Sequence, residues 1–540
     1  MSIKKVNISN YKCFESFSIE FNKCVNILVG NNEAGKSTIL EAIHLALTGS
    51  LNGKPLRTEL SQYLFNQNAV DRYLSGIEAK TNPPLPQIVI EIFFEDEKYP
   101  IFEGSGNSER IKAWGISLKI DFDDEYKAEY ETLIQNPKNL TSLPIEYYKI
   151  ELKSFARELK TNRSIPIKSV LIDSTSKRHQ NGSDIYLSRI IRNDLEDSEK
   201  VSLSQAYRKM REAFMADPAI GEINKKLTEK SKVSEKELRI SVDLSTQNSW
   251  ENALMTYLDG IPFHQIGKGE QCIIKTNLAL GHKKTEEANI ILIEEPENHL
   301  SHTKLNELTK NITSHCITAQ KQVIISTHSS FVANKLGLEN LILLNDQKTT
   351  RLTNLSKDTF TFFKKLSGYQ TLRLLLCRKA VLVEGDSDEL IFQRAYLDKN
   401  KRLPIEDGID VISVRLTFKR FLEIAQQLNL KVAVLTDNDG DYEQNIINKY
   451  KEFSDIEGIK ICADPRNNLK TLEPQFVDAN ETEKLRNVLG LGDSYNTDEI
   501  LIHHMSNKNN KTAWALKVFE ADGKLNYPQY INDAVDWCNE

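Results

Sequence analysis

Gly30-Asn-Asn-Glu-Ala-Gly35-Lys36-Ser37 fits the pattern G-x-x-x-x-G-K-[ST] and stands between a strand and a helix. The strand is Val25-Asn-Ile-Leu-Val29, short and almost wholly apolar. Ahead of it, Ile3, Val6 and Ile8, then Phe17, Ile19 and Phe21, alternate with polar residues as half-buried strands do. The helix reads from Ser37 through Leu47. In that setting Gly30 and Gly35 let the backbone wrap a phosphate chain, with Asn31, Asn32 and Thr38 in the same cradle. Lys36 is placed to reach the β- and γ-phosphates and Ser37 to ligate Mg²⁺. The expectation is an α/β fold that binds ATP.

A second segment completes the nucleotide site. Ile290-Ile-Leu-Ile293 is a buried strand that ends in Glu294-Glu295-Pro296. Glu294 is positioned to hold Mg²⁺ through water, and Glu295 to polarise the attacking water. Ile324-Ile-Ser-Thr-His328 ends another such strand, so His328 is a candidate γ-phosphate contact. Ile266-Gly267-Lys268-Gly269-Glu270-Gln271 precedes a helix and resembles a degenerate ABC signature loop, in which the backbone at Gly267 and Gly269 would meet a nucleotide held by another subunit. Gln62 or Gln67 is the candidate Q-loop residue. Asn10-Tyr11-Lys12 resembles the opening of SMC- and RecF-type ATPases.

Outward from these motifs the chain is mixed. Gln87–Phe94 reads as a strand. Residues 125–245 read as mostly helical and charged, clearest at Lys225–Arg239; this is an insertion suited to dimerisation, or a helical lobe with no separate role. A length of 540 residues calls for two to four domains. A net charge of −6 argues against binding nucleic acid by bulk charge, though not against a local basic groove. No run of eighteen apolar residues and no signal-peptide layout is seen, so no membrane association and a cytoplasmic location are expected. The seven cysteines are scattered without zinc-ligand spacing and read as reduced thiols.

A new unit begins near Arg378. Lys379–Val383, Ile409–Val414 and Lys431–Leu435 read as strands, with helices Asp386–Leu397 and Phe418–Leu428 between them. Val381-Leu-Val-Glu384-Gly385-Asp386-Ser387-Asp388 puts Glu384 at a strand tip and Asp388 in the first turn of the next helix. Val432-Ala-Val-Leu-Thr436-Asp437-Asn438-Asp439 puts D-x-D at another strand tip, and on an extended segment Asp437 and Asp439 would point the same way. Four carboxylates at neighbouring tips repel unless cations sit between them, and their oxygens suit Mg²⁺ or Mn²⁺. E-G-x-x-D followed by D-x-D is the pattern of Toprim domains.

An ATPase followed by a Toprim domain, with Glu294-Glu-Pro-Glu-x-His-Leu300 in the first, resembles the OLD (overcoming lysogenization defect) family of ATP-dependent endonucleases. The resemblance implies an ABC-type ATPase with a helical insertion over residues 1–370 and a Toprim nuclease with a helical extension over 378–540. It also implies a further acidic metal ligand, matched by Glu473, and a C-terminal lysine, matched by Lys511 with Lys508 as the alternative. Such a lysine would stabilise the transition-state phosphorane or the leaving oxygen. The glycine pair of many Toprim domains is missing; Ser413-Val-Arg-Leu-Thr-Phe418 stands there, and Arg415, Lys419 and Arg420 are candidate DNA-backbone contacts or a solvated helix end. The implied activity is two-metal hydrolysis of DNA in bacterial antiphage defence. Implied partners are DNA, a homodimer or higher assembly, and a separately encoded helicase (as in Gabija) or a reverse transcriptase with its RNA–DNA product (as in retrons). Two rival readings remain: a RecF-like repair ATPase whose second domain binds DNA without cutting it, and a sensor in which nucleotide holds the nuclease off.

Overall fold

The computed structural model describes residues 2–540 apart from 53, 82, 96, 136–139, 174–178, 181–182, 185–194, 231–255, 282–287, 299, 319–320, 346, 353–354, 367–370 and 416. The chain divides into two compact units. One comprises Met1–Leu28, Asn32–Thr327 and Asp346–Lys348; the other comprises Val29–Asn31, His328–Asn345 and Thr349–Glu540.

The N-terminal unit is built on two sheets. The first is antiparallel: Phe14–Glu20, Ile3–Tyr11, Ile88–Phe94, Ala113–Phe122 and Tyr148–Ser154 lie side by side in that order. The second is parallel: Lys168–Asp173, Ala288–Glu294, Gln322–Ser326 and then the strand Val25–Gly30. Every residue of Val25–Gly30 is buried, as expected of a strand covered on both faces. The helix Lys36–Thr48 follows it and touches strands of both sheets, so Ile39, Leu40, Ala42, Ile43, Leu45, Ala46 and Leu47 are all buried. Its apolar residues therefore run most of the way round rather than in one stripe. Gln322 ties the two sheets: its Oε1 accepts the Ile3 amide at 2.8 Å, and its Nε2 donates to the carbonyls of Ile3 (2.8 Å) and Asn22 (2.7 Å).

The reading of 125–245 as mostly helical needs correction. Helices occupy Lys127–Ile134, Asp197–Met215 and Pro218–Lys230, but Tyr148–Ser154 and Lys168–Asp173 are strands, one in each sheet. Tyr148–Ser154 is an edge strand with most side chains only half-buried, in which Tyr148, Ile150 and Leu152 alternate with Lys149, Glu151 and Lys153. The charged helix expected over Lys225–Arg239 is seen to Lys230; the remainder falls outside the described residues. The cysteine reading is also corrected at one position. Cys24 is disulfide-bonded, a pairing that spacing along the sequence does not reveal.

In the C-terminal unit the sheet is wholly parallel, in the order Ile409–Ser413, Lys379–Val383, Lys431–Leu435, Ile459–Cys462. Helices Asp386–Asn400, Lys511–Glu520 and Gln529–Asn539 cover one face. Phe392, Tyr396, Phe476, Trp514, Ile531 and Val535 form the core there. Lys379–Val383 and Lys431–Leu435 are adjacent, with Leu382 opposite Val434, so continuing the register two residues brings Glu384 beside Thr436. Among the described residues no helix is long and apolar enough to cross a membrane.

Candidate functional site

The nucleotide motifs of the N-terminal unit form one constellation. Gly35 has φ of +89°, and a Cβ built there would lie 2.3 Å from Phe14 Cζ. The loop therefore needs glycine twice over, for its left-handed turn and for the close approach. Gly35→Ala is expected to destabilise the protein by about 1–3 kcal/mol and to distort the phosphate loop. A melting curve that overlays that of the unchanged protein would contradict this packing.

Lys36 is only 6% exposed. Burial lowers its pKa, and the nearby carboxylates of Glu295, Glu297 and Glu294 oppose that shift. The Ser37 hydroxyl donates to Glu294 Oε1, so the two residues expected to share Mg²⁺ already meet. Glu295 has φ of +41°. Its amide donates to the Ser326 carbonyl at 2.9 Å, and its Oε2 accepts Asn298 Nδ2 at 2.7 Å. The strand thus turns sharply at its tip and re-aims the second carboxylate. Glu297, not singled out from sequence, accepts the Thr327 hydroxyl at 2.8 Å and joins the charge around Lys36.

Gly267 precedes the helix Lys268–Gly281, with Gly269 in its first turn. The Gln271 amide donates to the Gly267 carbonyl at 3.0 Å, and open space lies where a Gly267 side chain would be. The helix start is accessible from outside. The Q-loop candidates are both engaged: Gln62 Oε1 accepts the Leu143 amide at 3.1 Å, and Gln67 Nε2 donates to Asp71 at 2.7 Å. Tyr11 and Lys12 both engage Glu41 on the phosphate-loop helix, by hydrogen bond and ion pair respectively. In the C-terminal unit, His328 is exposed and shares a cavity of about 440 Å³ with Asn31, Ser330 and Arg373.

The acidic site is assembled from strand tips. Glu384 Oε1 accepts the Thr436 hydroxyl at 2.8 Å and the Asp437 amide at 3.4 Å. Asp388 Oδ2 accepts the Gly385 amide at 3.1 Å, which fixes it at the start of the helix. Glu473, 3% exposed, accepts the Thr471 hydroxyl at 2.8 Å. Asp437 Oδ1 is buried without a hydrogen-bond partner.

The electrostatics show these groups near one another. Burial first, then the charge of Glu384, pushes the Asp388 carboxyl up to about 7. Burial pushes Asp437 up to about 9, reinforced by Asp388, Glu384, Glu473 and Asp439. Among the described residues no three His, Cys, Asp or Glu stand close enough to enclose a metal ion. The orphaned Asp437 oxygen and the all-oxygen donor set are the features that suit a hard divalent cation.

The reason given from sequence for pairing Asp437 with Asp439 is corrected. Asp439 has φ of +50° and is exposed, whereas Asp437 is half-buried. The chain has left the strand and is turning at Asn438–Gly440, so extended-strand alternation does not apply. Lys511 begins a helix, its side chain exposed and its carbonyl accepting the Ser387 hydroxyl at 2.8 Å, which sets it beside the Glu384–Asp388 turn. Arg415, with φ of +53°, follows Val414, whose amide donates to the Val383 carbonyl at 2.9 Å.

Sequence reasoning missed Thr436 and Asn438. Asn438 is fully buried, and its Nδ2 donates to the carbonyls of Asp464 (2.7 Å), Arg466 (3.0 Å) and Leu469 (3.2 Å). Its Oδ1 accepts the Gly440 amide at 2.7 Å. It staples the D-x-D turn to the loop leading to Glu473.

Comparison with known proteins matches residues 5–256 to an AAA domain, and residues 375–439 to the TOPRIM domain of overcoming lysogenization defect protein-like proteins. The phosphate loop lies in the first match, and Glu384, Asp388, Asp437 and Asp439 lie in the second; Glu473 and Lys511 fall beyond it. Retron Ec83 probable ATPase of Escherichia coli is 23% identical over 416 residues, which cover 64% of this chain and 72% of that protein. DNA replication and repair protein RecF of Clostridium acetobutylicum is 26% identical over 195 residues, 30% of this chain, and the match spans about half (53%) of its length. Among solved structures, the SMC head domain from Thermotoga maritima aligns over 65% of this chain and 98% of its own, at 13% identity and a TM-score of 0.30. The C-terminal region of the OLD protein from Xanthomonas campestris pv. campestris aligns over 30% of this chain and 94% of its own, at 20% identity and a TM-score of 0.24. The chain thus combines an AAA-type ATPase domain with an OLD-like TOPRIM domain.

Proposed function

We infer that this chain, an AAA-type ATPase joined to an OLD-like TOPRIM domain, is an ATP-binding DNA endonuclease dependent on divalent metal. The observation that carries the reading is Asp437, which feels the charges of Asp388, Glu384, Glu473 and Asp439 while one of its oxygens is left buried without a partner. These five carboxylates would hold Mg²⁺ or Mn²⁺, which supplies neutralisation of the phosphodiester and acidification of the attacking water.

The chain's own residues do the rest. Thr436, Gly385 and Thr471 each fix one carboxylate by a hydrogen bond, so that Glu384, Asp388 and Glu473 need little reorganisation when substrate arrives. Lys511, beside the first acidic turn, is suited to receive negative charge on the phosphate or the leaving 3′-oxygen. In the ATPase, Lys36 and Ser37 bind phosphate and Mg²⁺, and Glu295 orients water for hydrolysis of ATP.

The test is incubation of the protein with duplex DNA in Mg²⁺ or Mn²⁺ and in excess EDTA. Cleavage is expected only with the metal; undiminished cleavage in EDTA would end this reading. A chain that bound DNA but never cut it in any divalent metal would match the RecF-like alternative.

Antiphage defence is the proposed setting, supported by the likeness to a retron ATPase. A reverse transcriptase with its RNA–DNA product, or a helicase, would be a separate partner. One phosphate loop and one signature-like loop per chain also imply that a nucleotide sandwich needs a second copy, so at least a homodimer is expected. Light scattering at micromolar concentration, with and without ATP, should give a mass of two chains or more; a monomer in both conditions would contradict it.

A further inference from the structure

Beside the D-x-D turn lies a cation that neither the fold nor the carboxylate cluster uses. The Asp439 amide donates to the Lys470 carbonyl at 3.1 Å, so the two backbones are joined at the rim of the acidic site. Gly440, with φ of +87°, packs against the Lys470 methylenes: a Cβ there would lie 3.1–3.4 Å from Lys470 Cε, Cδ and Cγ. Asn438 holds the same loop from within through three hydrogen bonds to its carbonyls, and Gln475 Nε2 adds a bond to the Leu469 carbonyl at 3.0 Å. Lys470 is therefore carried on a fixed loop.

The neighbouring cation shows the contrast. Arg466, four residues earlier and also exposed, is engaged within the chain, bonded to both Asp464 oxygens and to Asp478. Lys470 is exposed, and among the described residues its ammonium has no ion-pair or hydrogen-bond partner. It does not neutralise the carboxylates, although its backbone touches their turn. An unspent ammonium on a rigid loop at the edge of an acidic site has the chemistry to meet an anion arriving from solution.

We propose that Lys470 is a substrate contact, binding a backbone phosphate of DNA as the strand enters the carboxylate site; this rests on the nuclease reading above. It acts by placing the strand rather than by moving a proton, and it is distinct from Lys511, which sits beside the other acidic turn.

The experiment measures duplex-DNA affinity by fluorescence anisotropy at several salt concentrations, with Ca²⁺ as the divalent probe, for the unchanged protein, Lys470→Ala and Lys470→Arg. Mn²⁺ affinity without DNA is measured in parallel. Lys470→Ala is expected to weaken DNA binding roughly 5- to 10-fold and to make the slope of log K against log salt shallower by about 0.9, the signature of one lost phosphate contact. Lys470→Arg should restore most of both, with Mn²⁺ affinity the same in all three and cleavage by Lys470→Ala showing a raised KM. An unchanged salt slope in Lys470→Ala would overturn the proposal. So would a parallel loss of Mn²⁺ affinity, which would make Lys470 a prop for the acidic turn. If the unchanged protein cuts no DNA but Lys470→Ala still alters the slope, the nuclease reading fails and the phosphate contact stands.

Discussion

Asp437→Asn is expected to cut DNA at least about 10³-fold more slowly than the unchanged protein while melting at a higher temperature in EDTA. The two effects have one cause. Asp437 is half-buried, has an oxygen without a partner, and stands among Asp388, Glu384, Glu473 and Asp439. Burial first, and then the neighbouring carboxylates, disfavour the ionised Asp437 until a cation joins it. The raised Asp437 carboxyl must take up a proton to fold without metal near neutral pH, and the amide keeps the shape without that cost, so the metal-free fold should gain about 1–2 kcal/mol, or roughly 2–6 °C. Adding Mn²⁺ should then raise the melting temperature of the unchanged protein more than that of the variant, because ligand binding to the folded state alone stabilises it. Calorimetry in EDTA and in Mn²⁺, beside a cleavage time course, checks both halves. A variant that melts lower in EDTA and cuts normally would show these carboxylates to be structural.

Lys36→Met should weaken binding of Mg²⁺–ATP by about 30-fold or more, equivalent to about 2 kcal/mol for a charge-assisted hydrogen bond to phosphate. Methionine fills similar space without the charge. Lys36 is almost fully buried, which disfavours its ammonium, and the charges of Glu295, Glu297 and Glu294 oppose that cost. Titration calorimetry reads the affinity, and a melting curve establishes that the variant is folded. Wild-type affinity in a folded variant would remove Lys36 from the nucleotide site.

What could be read from the sequence was what lies contiguous along it. The strand–loop–helix at Val25–Thr48 announces itself because strand, glycine turn and helix follow one another within a few residues. The tips at Glu384 and Asp437 were legible for the same reason, each being an apolar strand that ends abruptly in acid. Tyr148–Ser154 also carried a signal, since Tyr148, Ile150 and Leu152 alternate with Lys149, Glu151 and Lys153, but the charged composition of the whole region outweighed it. The turn at Asp439 did carry a signal, since Asn-Asp-Gly is turn chemistry, but the extended-strand argument was given precedence. Asn438 carried none: its partners lie 26, 28 and 31 residues onward, and only the folded sheet brings them back. Glu473 came from family resemblance alone, and the structure shows why spacing could not supply it. It reaches Asp437 from a separate helix, Leu472–Asp478, rather than from a strand tip.

The central claim is that the five carboxylates hold a divalent cation, and titration of Mn²⁺ into the nucleotide-free, DNA-free protein tests it most directly. Electron paramagnetic resonance counts free against bound ion, for the unchanged protein and for Asp437→Asn and Glu384→Gln. The account predicts one or two bound Mn²⁺ per chain, with binding weakened at least about tenfold in either variant. No bound Mn²⁺ in the unchanged protein, or equal binding in all three, would contradict it.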